Sequence, residues 1–296
     1  MNWFKIRYNK KSAKKYGWRP FWFNATGFDL MLVENIKAFQ RAQGLETDGL
    51  CGPATYRRAF TEVERRIENS NPEVLIREDD SFIVCNGDNL KIEWDKVRID
   101  FLKEGCYKKV TSARTPAMIV THWDAALSAN SCKAILEKRK ISTHFCIDND
   151  GTIVQLLDTN HIGWHAGIRA VNKVSIGVDF SNAVYEKYNK TYEKRGFGLR
   201  PIIKDWKVHG RTVKPFLGYY PVQLEAYKAL VDTLCRHYDI LLECPLNNDG
   251  SLNTGIDKDA AKGKFKGIVN HYNLTAKKWD TLGLELDKII EEIKTN

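Results

Sequence analysis

The chain has 296 residues, with 46 Lys and Arg against 37 Asp and Glu, so its formal net charge is +9. With 43% apolar and 28% charged residues it can bury at least one sizeable core, which excludes a disordered, collagen-like or low-complexity chain. No run approaches the roughly 18 to 20 consecutive apolar residues of a membrane span, and the first residues lack the apolar core of a secretory signal, so synthesis as a soluble cytoplasmic protein is expected.

Residues 1–20 hold Lys5, Arg7, Lys10, Lys11, Lys14, Lys15 and Arg19 and no acid, so seven of the nine excess charges sit there. Together with Trp3, Phe4, Tyr8, Tyr16 and Trp18 they read as a basic, aromatic arm suited to an anionic surface, the alternative being that most of these aromatics pack on the small module that follows. Nucleic acid is the competing partner, but no nucleic-acid motif accompanies the arm and none is expected to bind. From Leu32 to Gln43 the residues Leu32, Val33, Ile36 and Phe39 recur at helical spacing, and Gly44 is a natural stop. The turns Asp48-Gly49 and Gly52-Pro53 follow, and a second helix is expected over 54–67. This gives a small all-α module over 1–70. The polar stretch ENSNPE with Pro72 marks a boundary, and 71–115 is expected to be a linker and a lead-in hairpin.

From residue 116 to 296 strands alternate with helices, which predicts an α/β domain with a mixed central sheet and flanking helices. AMIVTHW (117–123), THFCI (143–147), TIVQLL (152–157) and SIGVDFS (175–181) read as strands, and Ser131 to Glu137 as a short helix. Pro221 opens an amphipathic helix bearing Leu224, Tyr227, Leu230, Val231 and Leu234, and Leu284 to Ile293 reads as a C-terminal helix. The polar stretches 185–220 and 245–267 are long enough to be excursions near a cleft. Seven cysteines without a C-x-x-C pair read as reduced and mostly buried, and nothing suggests an oligomer.

Seven histidines are present, and position singles out two of them, together with one aspartate. His122 ends a predicted buried strand. His271 follows Ile268-Val269, with Asp280 nine residues on and Lys278 two before it. A catalytic zinc takes three ligands of these types and leaves a fourth position open, so His122, His271 and Asp280 would suffice if the fold brings the first strand beside the last loop. In an extended segment Lys278 would face the same cavity as Asp280; in a helix TAKKWD would be a solvated start. On SIGVDFS, Ile176 and Val178 share one face and Ser175, Gly177 and Asp179 the other. Asp179 therefore needs a partner, either an activated water or a nearby Lys or Arg. The loop GWHAG (163–167) presents His165 beside Trp164, either to a polar substrate or as a packed turn.

Taken together, THWDA (121–125), STHFCIDNDGTIVQLLD (142–158), GWHAG, SIGVDFSN (175–182) and NHYNLTAKKWD (270–280) resemble the ordered motifs of the type 2 N-acetylmuramoyl-L-alanine amidases, whose fold is shared with peptidoglycan recognition proteins. Separately, FQRAQGLETDGLCGPATYRRAF resembles the helical peptidoglycan-binding module attached to cell-wall hydrolases. The resemblance implies Zn²⁺ held by His122, His271 and Asp280, with Lys278 stabilising the oxyanion. Asp179 stands where many relatives carry a Glu general base, one methylene longer. Others use a Tyr near the position of Thr143. His165 and Trp164 match a cleft wall that binds substrate, with His165 also a catalytic candidate, while His144 falls to the core or behind the ligands.

The implied reaction is hydrolysis of the bond between N-acetylmuramic acid and L-alanine. The absence of a signal sequence suggests a monomeric phage endolysin, made in the host cytoplasm and reaching the wall once the membrane is breached. The basic arm would then meet anionic wall polymer or lipid. Two alternatives are a recycling amidase, disfavoured by the attached module, and an inactive recognition protein, disfavoured because all three ligand positions are filled.

Overall fold

A computed structural model describes residues 2–16, 18–52, 55, 56, 58, 59 and 81–295. The helix expected over 54–67 falls outside them except at four positions. The chain divides into two compact units, Met1–Asp79 and Asp80–Asn296. Among the described residues no helix is long and apolar enough to cross a membrane.

In the first unit, the segment read as an arm is a helix, α1 (Asn2–Tyr16), followed by a 3-10 turn at Pro20–Phe23 and α2 (Leu30–Ala42). Asp29 caps α2 by accepting from the Leu32 amide at 2.9 Å. The helical repeat then buries Leu32, Val33 and Ile36, and a core forms from Leu32, Ile36, Trp18, Phe23 and Cys51. Gln40, buried on α2, donates to the Asp48 carboxylate at 2.7 Å and accepts from Gly49 N–H at 2.8 Å. From α1, Asn9 donates to Gly49 O at 3.0 Å and accepts from Cys51 N–H at 2.8 Å. Two buried amides thus clamp the DGLCG loop. Gly49 sits at φ +74°, and a Cβ there would lie 2.9 Å from Val33 Cγ1, so the turn requires glycine.

The second unit opens with a hairpin, β1 (Phe82–Cys85) and β2 (Asp88–Lys91), turned by Asn86-Gly87 with both residues at positive φ, as a two-residue hairpin demands. In chain order there follow β3 (Val97–Ile99), β4 (Met118–Trp123), α3 (Ala129–Arg139), β5 (Phe145–Ile147), β6 (Ile153–Gln155), α4 (Arg169–Val174) and β7 (Ser175–Phe180). Next come α5 (Asn189–Lys194), the two-residue strands β8 (Ile202–Ile203), β9 (Lys207–Val208), β10 (Arg211–Thr212) and β11 (Phe216–Leu217), then α6 (Pro221–Tyr238), α7 (Lys258–Ala261), β12 (Gly267–Asn270) and α8 (Leu286–Thr295). Six strands form one sheet in the order β12-β4-β7-β5-β6-β3, parallel except for the β5-β6 pair. This is the expected mixed central sheet with flanking helices, and β3, from within 71–115, is one of its two edge strands.

Strand alternation decides what lies on each side. Ile119, Ile176, Val178 and Ile268 face α6 and α8, packing with Ala226, Tyr227, Leu230, Val231, Ile289 and Ile290. Burial of each large apolar side chain there contributes about 1.5–3 kcal/mol. Thr121 also points this way, its hydroxyl 2.6 Å from that of Tyr227. The opposite face is covered by α3, through Ala129, Cys132 and Leu136, and by α4 and α7, through Val171 and Ala260 against Met118, Val120 and Val269. His122 and Asp179 emerge on that second face, at the carboxyl ends of parallel strands where α/β sheets commonly hold ligands.

Within the 185–220 excursion Arg200 is a buried anchor. Arg200 places its guanidinium carbon 4.4 Å from the Tyr192 ring centre and 4.2 Å from that of Tyr220, and donates to Gly218 O, Ser181 O and Gln223 Oε1 at 2.7–3.0 Å. A guanidinium is suited to this because its planar fork serves several carbonyls while its faces take aromatic rings.

Candidate active site

Register brings the first two site residues together. β12 runs parallel to β4 with Asn270 opposite Thr121, so His271, the next residue, comes level with His122 although 149 positions separate them. A 3-10 turn, His271–Asn273, then starts the chain back, and the Tyr272 amide donates to Asp280 O at 2.9 Å, returning the Asp280 carboxylate to the histidines. His122 Nδ1 lies 2.9 Å from His271 Nδ1, and Asp280 Oδ2 lies 2.8 Å from His271 Nδ1 and 3.2 Å from His122 Nδ1. All three residues are buried.

Hydrogen bonding sets the tautomers. The Val171 carbonyl can only accept, so it takes the Ser175 hydroxyl proton at 2.7 Å, and Ser175 Oγ in turn accepts from His165 Nε2–H at 3.2 Å. His165 Nδ1 is then bare and accepts from His122 Nε2–H at 3.0 Å, which leaves His122 Nδ1 bare. On the other ring, the Ala166 carbonyl accepts from His271 Nε2–H at 3.3 Å, which bares His271 Nδ1. Three lone-pair atoms, two nitrogens and a carboxylate oxygen, therefore point at one another with no proton to share. Burial, reinforced by His271, lowers the His122 pKa to about 4, so His122 takes up no second proton at neutral pH.

Asp179 stands beside this group, directly opposite His122 on β4 and opposite Cys146 on β5. Among the described residues it forms no ion pair; its partner is the Cys132 thiol, which donates to Oδ2 at 3.7 Å. Burial, then repulsion from Asp124 and Asp280, pushes its carboxyl well above the ordinary value. Lys278 is exposed in irregular backbone, and its charge acts on both His122 and Asp179. Its carbonyl accepts from His209 Nε2–H at 3.0 Å, so the 185–220 excursion supports this loop.

His165, expected on a cleft wall, uses both ring nitrogens inside the protein. Gly177 makes room for it, since a Cβ there would lie 2.7 Å from His165 Cγ. Trp164 is 39% exposed and lines an open groove with Tyr107, Lys108, Arg169 and Lys173. Ser175 and the Val171 and Ala166 carbonyls were missed from sequence; strand alternation placed Ser175 on the Asp179 face, but nothing indicated what its hydroxyl meets.

His144 lies behind His165 and is fully buried. It accepts from Gly177 N–H at Nδ1 (3.0 Å) and donates from Nε2 to His161 O (3.1 Å), which fixes it neutral. Burial, then the charge of Arg114, lowers its pKa to about 3. The unfolded residue titrates near 6.5, so the stability His144 contributes is complete above that pH and falls by about 1.4 kcal/mol per unit as pH drops towards 3. Urea unfolding of the chain and of His144→Gln between pH 7 and 4 should show a shallower decline for the variant. Equal slopes would mean that His144 takes up its proton in the folded state.

Residues 112–282, more than half of the chain, match the N-acetylmuramoyl-L-alanine amidase family, and residues 22–58 match the peptidoglycan binding domain. The chain belongs to the N-acetylmuramoyl-L-alanine amidase family and carries an N-terminal peptidoglycan-binding domain. No curated protein matches it in sequence. Among solved structures it is similar to the catalytic domain of XlyA, at 20% identity over 68% of this chain and 97% of that one, with a TM-score of 0.38. It is also similar to the N-acetylmuramoyl-L-alanine amidase LysC from Clostridium intestinale, at 17% identity over 67% of this chain and 97% of the other, with a TM-score of 0.40. A third is the Ph2119 endolysin of a Thermus scotoductus bacteriophage, at 16% identity over 67% and 98%, with a TM-score of 0.39.

Proposed function

We propose that the protein is a zinc-dependent amidase that cleaves the bond between N-acetylmuramic acid and L-alanine in peptidoglycan, and that it serves as a phage endolysin, acting on the wall after the membrane is breached. The observation that carries this reading is the convergence of His122 Nδ1, His271 Nδ1 and Asp280 Oδ2 within 2.8–3.2 Å of one another. A tetrahedral zinc with bonds of roughly 2.0–2.1 Å holds its ligand atoms roughly 3.3 Å apart. The three atoms here lie 2.8–3.2 Å apart, and a His₂Asp donor set suits zinc. When bound, zinc supplies Lewis acidity, which brings the pKa of a water from 15.7 to about 7 and polarises an amide carbonyl.

The chain's own residues do the rest. Asp179, with its raised carboxyl in line with His122, takes the proton of the attacking water and passes it to the leaving amine of L-alanine. Lys278 offsets the charge that develops on the carbonyl oxygen, contributing on the order of 10²-fold or more. His165 acts through His122, holding that ring in the tautomer that bares Nδ1. Trp164 offers a flat apolar face to the substrate beside the groove. The attached peptidoglycan-binding domain favours the intact wall over imported fragments as substrate.

The test is digestion of purified peptidoglycan with and without a chelator, measuring new amino-terminal alanine and new reducing ends. Chelator-sensitive alanine termini without reducing ends are expected. If neither product forms while the protein still sediments with the wall, the chain is a recognition protein and the amidase reading fails.

A further inference from the structure

Helix α1 presents a surface that the amidase reading does not use. One side is committed inward: Asn9, Ser12 and Ala13 are buried, with Asn9 and Ser12 bonded to the DGLCG loop. The other side exposes Trp3, Phe4, Arg7, Lys10, Lys11, Lys14 and Lys15. Steps of three or four residues relate these positions, so they form one continuous face. It carries five cations and no acid, and among the described residues none of the five forms an ion pair. The two aromatics lie side by side at one end, 69% and 60% exposed, with the Arg7 guanidinium 5.2 Å above the Trp3 ring.

We propose that this face is a docking surface for anionic phospholipid bilayers, on which α1 lies flat. The cations run along about 12 Å of the helix, and each adds attraction to an anionic leaflet. Trp and Phe beside such a stripe settle at the boundary between headgroup and acyl chain, where water need not hydrate their rings. A duplex polyanion would satisfy the cations and leave both rings in water. Because Asn9, Ser12 and the DGLCG loop already hold the helix, docking requires little further ordering of the backbone. Only two large apolar residues are available for insertion, so binding depends on charge and is reversed by salt.

Sedimentation of the full chain with vesicles tests this. It should pellet with equal parts phosphatidylcholine and phosphatidylglycerol, stay in solution with phosphatidylcholine alone, and be released by high salt. The double variant Lys10→Gln/Lys14→Gln should bind about thirtyfold more weakly, and Trp3→Ala/Phe4→Ala should also bind more weakly. Both variants should unfold at the wild-type temperature, because none of the four side chains is buried. Failure to pellet with the anionic vesicles overturns the proposal, whether or not single-stranded DNA is bound instead. Pelleting that the Lys10→Gln/Lys14→Gln variant leaves unchanged overturns it as well. The assay is independent of amide hydrolysis, so it stands or falls apart from the amidase reading.

Discussion

Asp280→Ala and His122→Ala are each expected to abolish alanine release from peptidoglycan, by at least about 10³-fold, while leaving wall binding intact. Each removes one of only three converging donor atoms, and a two-donor remnant does not hold zinc at the concentrations of an assay. Asp280 also carries the group's negative charge, so its loss leaves only the two imidazoles facing each other. Wall binding survives because the peptidoglycan-binding domain has a core of its own. The measurements are bound zinc per chain, turnover, and sedimentation with the wall. Unchanged turnover in either variant would remove the metal assignment. His165→Ala belongs to the same series with a smaller effect: zinc affinity should fall about 10–100-fold, as is usual when the partner of a ligating histidine is lost.

Asp179→Asn is expected to keep zinc and lower kcat by about 10²–10⁴-fold, the usual range for a general base. Asn has the same shape and can still accept from the Cys132 thiol, so the local packing is retained. What disappears is the capacity to carry a proton. Asp179→Glu restores the carboxylate one methylene further out and should recover much of the lost rate. Wild-type kcat in Asp179→Asn, with zinc retained, would show that this carboxylate is structural and that another group moves the proton.

Much of the fold could be read from local pattern. Period-2 alternation in SIGVDFS assigned Ile176 and Val178 to one face and Asp179 to the other, and the structure places them so because a strand cannot present neighbouring residues to the same layer. The helical repeats of α2 and α6 were legible for the same reason, each having one buried stripe. The basic N-terminus was read as an arm, because its charges mask an inward face whose buried residues are Asn9, Ser12 and Ala13. Small and polar residues carry little periodic signal.

The residue types, the order of the motifs and the charge imbalance were determined by the sequence alone, since they are properties of the chain as written. Spacing by itself left the metal site undecided, because ligation depends on residues 149 and 158 positions apart becoming neighbours. The parallel pairing of β12 with β4 is what makes them neighbours. Tertiary structure also decided the tautomers of His122 and His271, the burial of Asp179 against a thiol rather than a cation, and the anchoring of 185–220 by Arg200. The physical reason is the same in each case: hydrogen bonds and ion contacts act over about 3 Å in space, and a linear pattern reports proximity only within a strand or a turn of helix.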